Sequence, residues 1–115
     1  MRFKVVFAPV KTDRTDPVVD AAKAAGATGA TIIPARGTGM REAKTVFGLT
    51  LEDQTDIILF LIEEHIVKPV LEAIRTAGKF DEPGTGIAFV LPVEQVVGLE
   101  SQMEKFKEEV RDKYL

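Results

Sequence analysis

Four short runs rich in β-branched and aromatic residues alternate with two stretches of helical periodicity, in the order βαββαβ. That order constrains the fold more than any other feature, because connections between successive elements are short, un-knotted and right-handed where chirality applies. Phe3 to Val10 alternates aromatic, basic and β-branched residues, and Pro9 marks it as an edge or the end of a strand. Thr15, Asp16 and Pro17 then combine a capping side chain with proline at the first helical position, where a missing N–H costs nothing. Val18, Val19, Ala22 and Ala25 form one stripe at helical spacing, and Gly26 supplies a left-handed stop.

Thr28 to Pro34 predicts the second strand. A flexible loop follows, running from Arg36 through mixed charges to Gln54 with little periodicity of its own. Asp56 to Glu63 is nearly continuous in apolar residues, which suits a central strand buried on both sides. The second helix reads from Glu64 to Thr76, with Pro69 in its first turn, Val67, Val70, Leu71 and Ile74 facing inward, and Gly78 as its cap. The loop Asp81 to Gly86 opens a fourth strand, Ile87 to Pro92. Leu99, Met103, Phe106, Val110 and Tyr114 recur at helical spacing, so 100–115 reads as a terminal amphipathic helix appended to a domain of residues 1–99.

A chain of 115 residues forms one domain by size. No apolar run approaches the roughly 18 residues of a membrane span, which excludes membrane insertion through helices. A net charge of -3 excludes the single-sign field that draws a domain onto nucleic acid. With no cysteine there are no disulfides, thiolate metal sites or cysteine nucleophiles, and a reducing, cytoplasmic setting is expected. The N-terminus reads as a strand and not as a secretion signal.

Closing βαββαβ into one layer gives an α+β, ferredoxin-like domain with a four-stranded antiparallel sheet of order 4-1-3-2 and both helices on one face. The other face has no helix, yet the strands are more apolar than one covered face needs, so it is expected to meet another subunit. In this order the end of strand two and the start of strand four share a rim. Gly37-Thr38-Gly39 and Gly84-Thr85-Gly86 therefore lie on one side of the sheet, three strand spacings or roughly 14 Å apart. One subunit cannot clamp a small ligand between them; a neighbour can supply the second turn. Consecutive N–H groups in glycine turns cradle anionic oxygens, which makes an inter-subunit phosphate site the chemical expectation. Neither turn matches a dinucleotide fingerprint or a P-loop.

Gly26-Ala27-Thr28-Gly29-Ala30-Thr31, Arg36-Gly37-Thr38-Gly39 and the block Gly84 to Val97 (GTGIAFVLPVEQVV) together resemble the P-II nitrogen regulatory protein family, over about residues 3 to 99. The resemblance implies a homotrimer that is not an enzyme. It binds an adenine nucleotide, ATP, ADP or AMP, in clefts between subunits as an effector, without a covalent cofactor, and no residue of this chain is assigned to a metal. It regulates a target protein, a transporter or metabolic enzyme, through a T-loop that corresponds here to 38–54. By the same resemblance Thr31 falls where the family has an adenine-contacting threonine, Gly37 and Gly39 are the glycines at the T-loop base, and Asp81 to Gly86 is the phosphate-holding B-loop.

This chain departs from the family at several positions. Ile87 replaces the lysine after the B-loop glycines, Gly98 and Glu100 replace the two tail arginines, and Arg41 replaces the T-loop glutamine. The loop is shorter and has no tyrosine to be uridylylated. Arg36, Arg41 and Lys44 are the replacement cations, and the nucleotide-binding set is Thr31, Arg36, Gly37, Thr38, Gly39, Arg41, Gly84, Thr85 and Gly86. Lys44, Phe47 and Leu49 form the candidate target-docking patch. His65 is a solvated residue at the start of the second helix, and the carboxylates at Glu52, Asp53, Asp56, Glu63 and Glu64 read as strand-end punctuation. The rival readings are a small ferredoxin-like enzyme with a carboxylate base on the open face, and a cation-binding or structural trimer resembling the CutA group.

Overall fold

The computed structural model describes residues 2–35, 45–46, 49–50 and 54–99. The elements are β1 (Phe3–Lys11), α1 (Thr15–Ala24), β2 (Thr31–Ala35), β3 (Thr45–Val46), β4 (Leu49–Thr50), β5 (Thr55–Glu63), α2 (Val67–Ala77) and β6 (Phe89–Pro92). The large sheet has the order β2-β5-β1-β6, and every pairing in it is antiparallel. Counted along the four principal strands this is 2-3-1-4, the arrangement the βαββαβ pattern predicts.

Both helices are entered through a single 3-10 turn, Thr12–Arg14 before α1 and Glu64–Ile66 before α2. The capping expectation at Thr15 is corrected by this turn. Arg14 occupies the N-cap without a side-chain cap bond, and the Thr15 hydroxyl instead donates to Asp56 Oδ2 at 2.6 Å, tying the start of α1 to the start of β5. Pro17 and Pro69 each fall at the third helical position, still within the first turn whose N–H groups have no intrahelical partner. The Arg14 guanidinium donates to the Ala77 carbonyl, Nε at 3.2 Å and Nη2 closer, so a cation from the start of α1 closes the C-terminal end of α2.

The core lies between the helices and one sheet face. Val6, Ala8, Val10, Ile58, Phe60 and Ile62 meet Val18, Val19 and Ala22 of α1 and Val70 and Ile74 of α2. Each fully buried Phe, Ile or Val contributes about 1.5–3 kcal/mol relative to an exposed one. Alternate residues point the other way. There Phe7 stacks on Phe89 with ring centroids 4.9 Å apart, while Leu61 and Leu91 remain 38% and 45% exposed. The expectation that the third strand is buried on both sides is thus corrected for the described residues: β5 lies between two strands, but α1 and α2 cover one of its faces and Leu61 on the other is exposed.

Pro9 also differs from its expectation, since it sits within β1 opposite Ile57 and is buried. Its missing N–H is tolerated because the regular ladder from β1 to β6 stops at Phe7–Phe89. The stretch expected to be a loop without periodicity contains a short hairpin, in which Thr45 pairs with Thr50 and Val46 with Leu49. The sequence signal was a β-branched pair followed two residues later by Gly48. Gly26 is left-handed at φ +122° as expected. At the end of α2 the positive φ belongs to Lys79, at 56°, and Gly78 is a glycine for another reason: an added Cβ would lie 2.4 Å from the Phe80 ring. The terminal helix expected over 100–115 lies outside the described residues.

Candidate functional site

Pairing brings four strand ends to one rim. Ala35, the last residue of β2, pairs with Thr55, Thr55 pairs with Lys11, and the Lys11 N–H donates to the Thr85 carbonyl at 3.3 Å. The root of the first Gly-Thr-Gly turn and the second turn itself therefore stand on one line across the sheet, three spacings or roughly 14 Å apart. The far root is fixed as well, because the Thr12 N–H donates to the Gln54 carbonyl at 3.2 Å and Asp56 accepts from Thr15.

The loop between α2 and β6 is braced from within. The Gly78 N–H donates to Ile74 O at 2.8 Å, the Phe80 N–H to Arg75 O at 3.0 Å, and the Glu82 N–H to Lys79 O at 2.9 Å. The Thr85 hydroxyl points inward, 2.8 Å from Lys79 O and 3.0 Å from Glu82 O. The Ile87 N–H donates to Pro9 O at 3.2 Å, stitching the loop to β1. Gly84 is left-handed at φ +77°. Gly86 is a glycine because of packing: a Cβ there would lie 2.7 Å from the Phe80 ring and 2.8 Å from the Pro9 carbonyl. Among the described residues the N–H groups of Gly84, Thr85 and Gly86 have no hydrogen-bond partner, so the turn offers successive donors of the kind that hold an anion.

Charge around this turn is not predominantly positive. Arg75 donates from Nη1 to Asp81 at 3.0 and 3.1 Å, and from Nε to Glu72 Oε2 at 3.3 Å, with Nη2 also on Glu72. Hydrogen bonding to Glu72 first, and to Asp81 second, raises the guanidinium's pKa above its ordinary value. The Arg75 hydrogen bond conversely lowers Glu72 below the usual carboxylate value.

Of the residues singled out from the sequence, Gly84, Thr85 and Gly86 are brought to the rim, where Gly86 bridges Val10. Thr31 is not brought to them: it begins β2, opposite Leu59 on the uncovered face, four residues or about 13 Å along the strand from Ala35. Leu49 belongs to β4. Arg36, Gly37, Thr38, Gly39, Arg41, Lys44 and Phe47 lie outside the described residues. Glu63 lies 3.1 Å from His65 Nδ1 and Glu64 pairs with Lys4 at 3.8 Å, so these carboxylates have local partners. Among the described residues no group of three or more His, Asp or Glu side chains could hold a metal ion. Sequence reasoning missed Phe80 as the loop's internal support; the available signal was an aromatic between glycines at 78 and 86. It also missed the link from Arg75 to Asp81, which spans six residues and leaves no periodic trace.

The family model for nitrogen regulatory protein P-II matches residues 3–103. A nitrogen regulatory protein P-II of Azospirillum brasilense is 31% identical over 99 residues, covering 82% of this chain and 88% of its own. The same-named protein of Cereibacter sphaeroides is 28% identical over the same shares. Among solved structures, PII of Arabidopsis thaliana bound to citrate has a TM-score of 0.67 at 28% identity, covering 86% of this chain and 84% of its own. A putative PII-like signaling protein of Thermus thermophilus has a TM-score of 0.61 at 27% identity, covering 81% and 88%.

Proposed function

The chain belongs to the nitrogen regulatory protein P-II family, and from that premise we propose that it is a homotrimeric signal-transduction protein taking an anionic effector into clefts between subunits. The effector is an adenine nucleotide, ATP, ADP or AMP. The output is regulation of a transporter or an enzyme of nitrogen or carbon metabolism through loop 38–54.

The observation that carries this reading is the rim. Ala35 and the donors of Gly84 to Gly86 face one side of the sheet but are separated by two intervening strands, so a small anion bridging two such turns needs turns from two subunits. The uncovered sheet face, with Ile33, Leu61 and Leu91 exposed, supplies the apolar surface that brings subunits together. Citrate in the Arabidopsis relative supports an anion as the class of effector. Regulation requires the bound effector to favour one state of the loop, which follows if it contacts the loop root at 36–39 in that state only. A cytoplasmic location accords with the absence of cysteine, and no helix among the described residues is long and apolar enough to cross a membrane.

The test combines mass with calorimetry. Native protein is expected to sediment as a trimer and to bind ADP, and Leu59→Lys on the uncovered face is expected to dissociate it and abolish binding. A dissociated variant that binds ADP undiminished would overturn the shared cleft. A native trimer giving no heat with ATP, ADP or AMP would overturn the nucleotide reading.

A further inference from the structure

The turn offered to an anion is set in an acidic loop. Between Gly78 and Gly86 the chain carries one cation, Lys79, against two carboxylates, Asp81 and Glu82. The Asp81 side chain is 82% exposed and Glu82 is exposed, so both project their charge into solvent beside the turn. The nearest guanidinium on α2, Arg75, offsets them only in part, because its single charge is shared between Glu72 and Asp81. The Thr85 hydroxyl is turned inward onto Lys79 and Glu82 carbonyls, and Ile87 follows the turn with no charge. Within the described part of this turn, what meets an anion directly is a set of backbone donors, at Gly84, Thr85 and Gly86.

Backbone donors and side-chain charges respond differently to a growing anion. Two or three N–H groups satisfy the oxygens of one phosphate and gain little from a second or third. Carboxylates two and three residues before Gly84 are at most about 10 Å away along the chain, within roughly one Debye length, and they repel each further charge. Building on the nucleotide reading above, we propose that this loop selects effectors of low negative charge, a nucleoside monophosphate over the triphosphate, with Asp81 and Glu82 as the specificity-determining residues. Asp81 acts twice, by its own charge and by occupying Arg75; Glu82 acts by its charge alone.

Calorimetric titration of AMP and ATP in metal-free, low-salt buffer separates the two claims. Native trimer is expected to bind AMP about tenfold more tightly than ATP, a preference that shrinks as salt is added. Glu82→Gln, an exposed and nearly isosteric change, is expected to reduce the preference to about threefold. Asp81→Asn should reduce it further, because it also frees the Nη1 of Arg75 that Asp81 holds. Circular dichroism and sedimentation confirm that both variants fold and assemble. Tighter binding of ATP by the native protein, or an AMP preference unmoved in both variants, overturns the selection and leaves nucleotide binding in place. Binding of neither nucleotide to the trimer removes the nucleotide reading and the selection with it.

Discussion

The two faces of the four-stranded sheet are built from similar side chains and have different surroundings. On one face Val6, Val10, Ile58 and Phe60 are wholly buried under α1 and α2. On the other, Ile33, Leu61 and Leu91 keep 38–45% of their surface exposed. Hydrophobic patterning states which residues favour burial; it does not state what buries them. Crossover connections cover the first face with helices of the same chain, whereas among the described residues no helix packs on the second, where Ile33, Leu61 and Leu91 are exposed. An apolar face left bare by topology is a surface for association, which is where the trimer proposal rests.

The sharpest way to break this contrast is to damage one face at a time. Phe60→Ala removes the largest wholly buried side chain among the described residues and is expected to cost about 3–5 kcal/mol in denaturant unfolding. Leu59→Lys, its chain neighbour pointing the other way, is expected to leave the dissociated subunit folded, with a far-UV spectrum like the native one. Equal loss of structure in both variants would mean that the uncovered face is needed for the subunit's own fold.

A second comparison asks how far the covered side extends into the loop. Phe80 packs against the core and fills the space beside Gly86. Gly86→Ala forces a Cβ against that ring and the Pro9 carbonyl, and is expected to destabilise by about 1–3 kcal/mol. Gly84→Ala meets a backbone penalty, at φ +77°, of about 1–2 kcal/mol. Unfolding midpoints rank the two. A larger cost at Gly84 would show that the loop yields around Phe80 and is set by its turn geometry.

Much of this architecture was legible in the sequence because it rests on local signals. Val18, Val19 and Ala22 announce one helical stripe, the run from Ile57 to Ile62 announces a strand, and the order of elements leaves few topologies. Element starts were less legible. Thr15 looks like a cap, but its hydroxyl is taken by Asp56, 41 residues away, and nothing in the sequence near Thr15 signals that contact. Pro9 was misjudged because tolerance of a missing N–H depends on where the neighbouring ladder stops, a property of two strands. The two Gly-Thr-Gly turns are identical as words, and Gly84 fits its place as the left-handed residue of a turn. Gly86 fits for a different cause, exclusion of a Cβ by Phe80 and Pro9, which only the packed loop reveals.

The smallest effect is expected on the outer surface of α2, remote from either sheet face. Glu72 is held below its usual pKa chiefly by the Arg75 hydrogen bond. A carboxyl whose pKa is lowered by folding stabilises the native state above the unfolded-state value near 4.5 and loses that contribution as pH falls through the native value. Glu72 and Arg75 are solvent-exposed, so water and salt screen most of the attraction. Glu72→Gln is therefore expected to lower the unfolding midpoint slightly at neutral pH and to match the native protein below the native pKa of Glu72, with the neutral-pH difference fading in high salt. A loss as large as that of Gly86→Ala, or one that persists in acid, would place the loop's stability in the ion network and not in the burial of Phe80. The contrast between a covered and an uncovered face would then no longer account for how this side of the molecule is held.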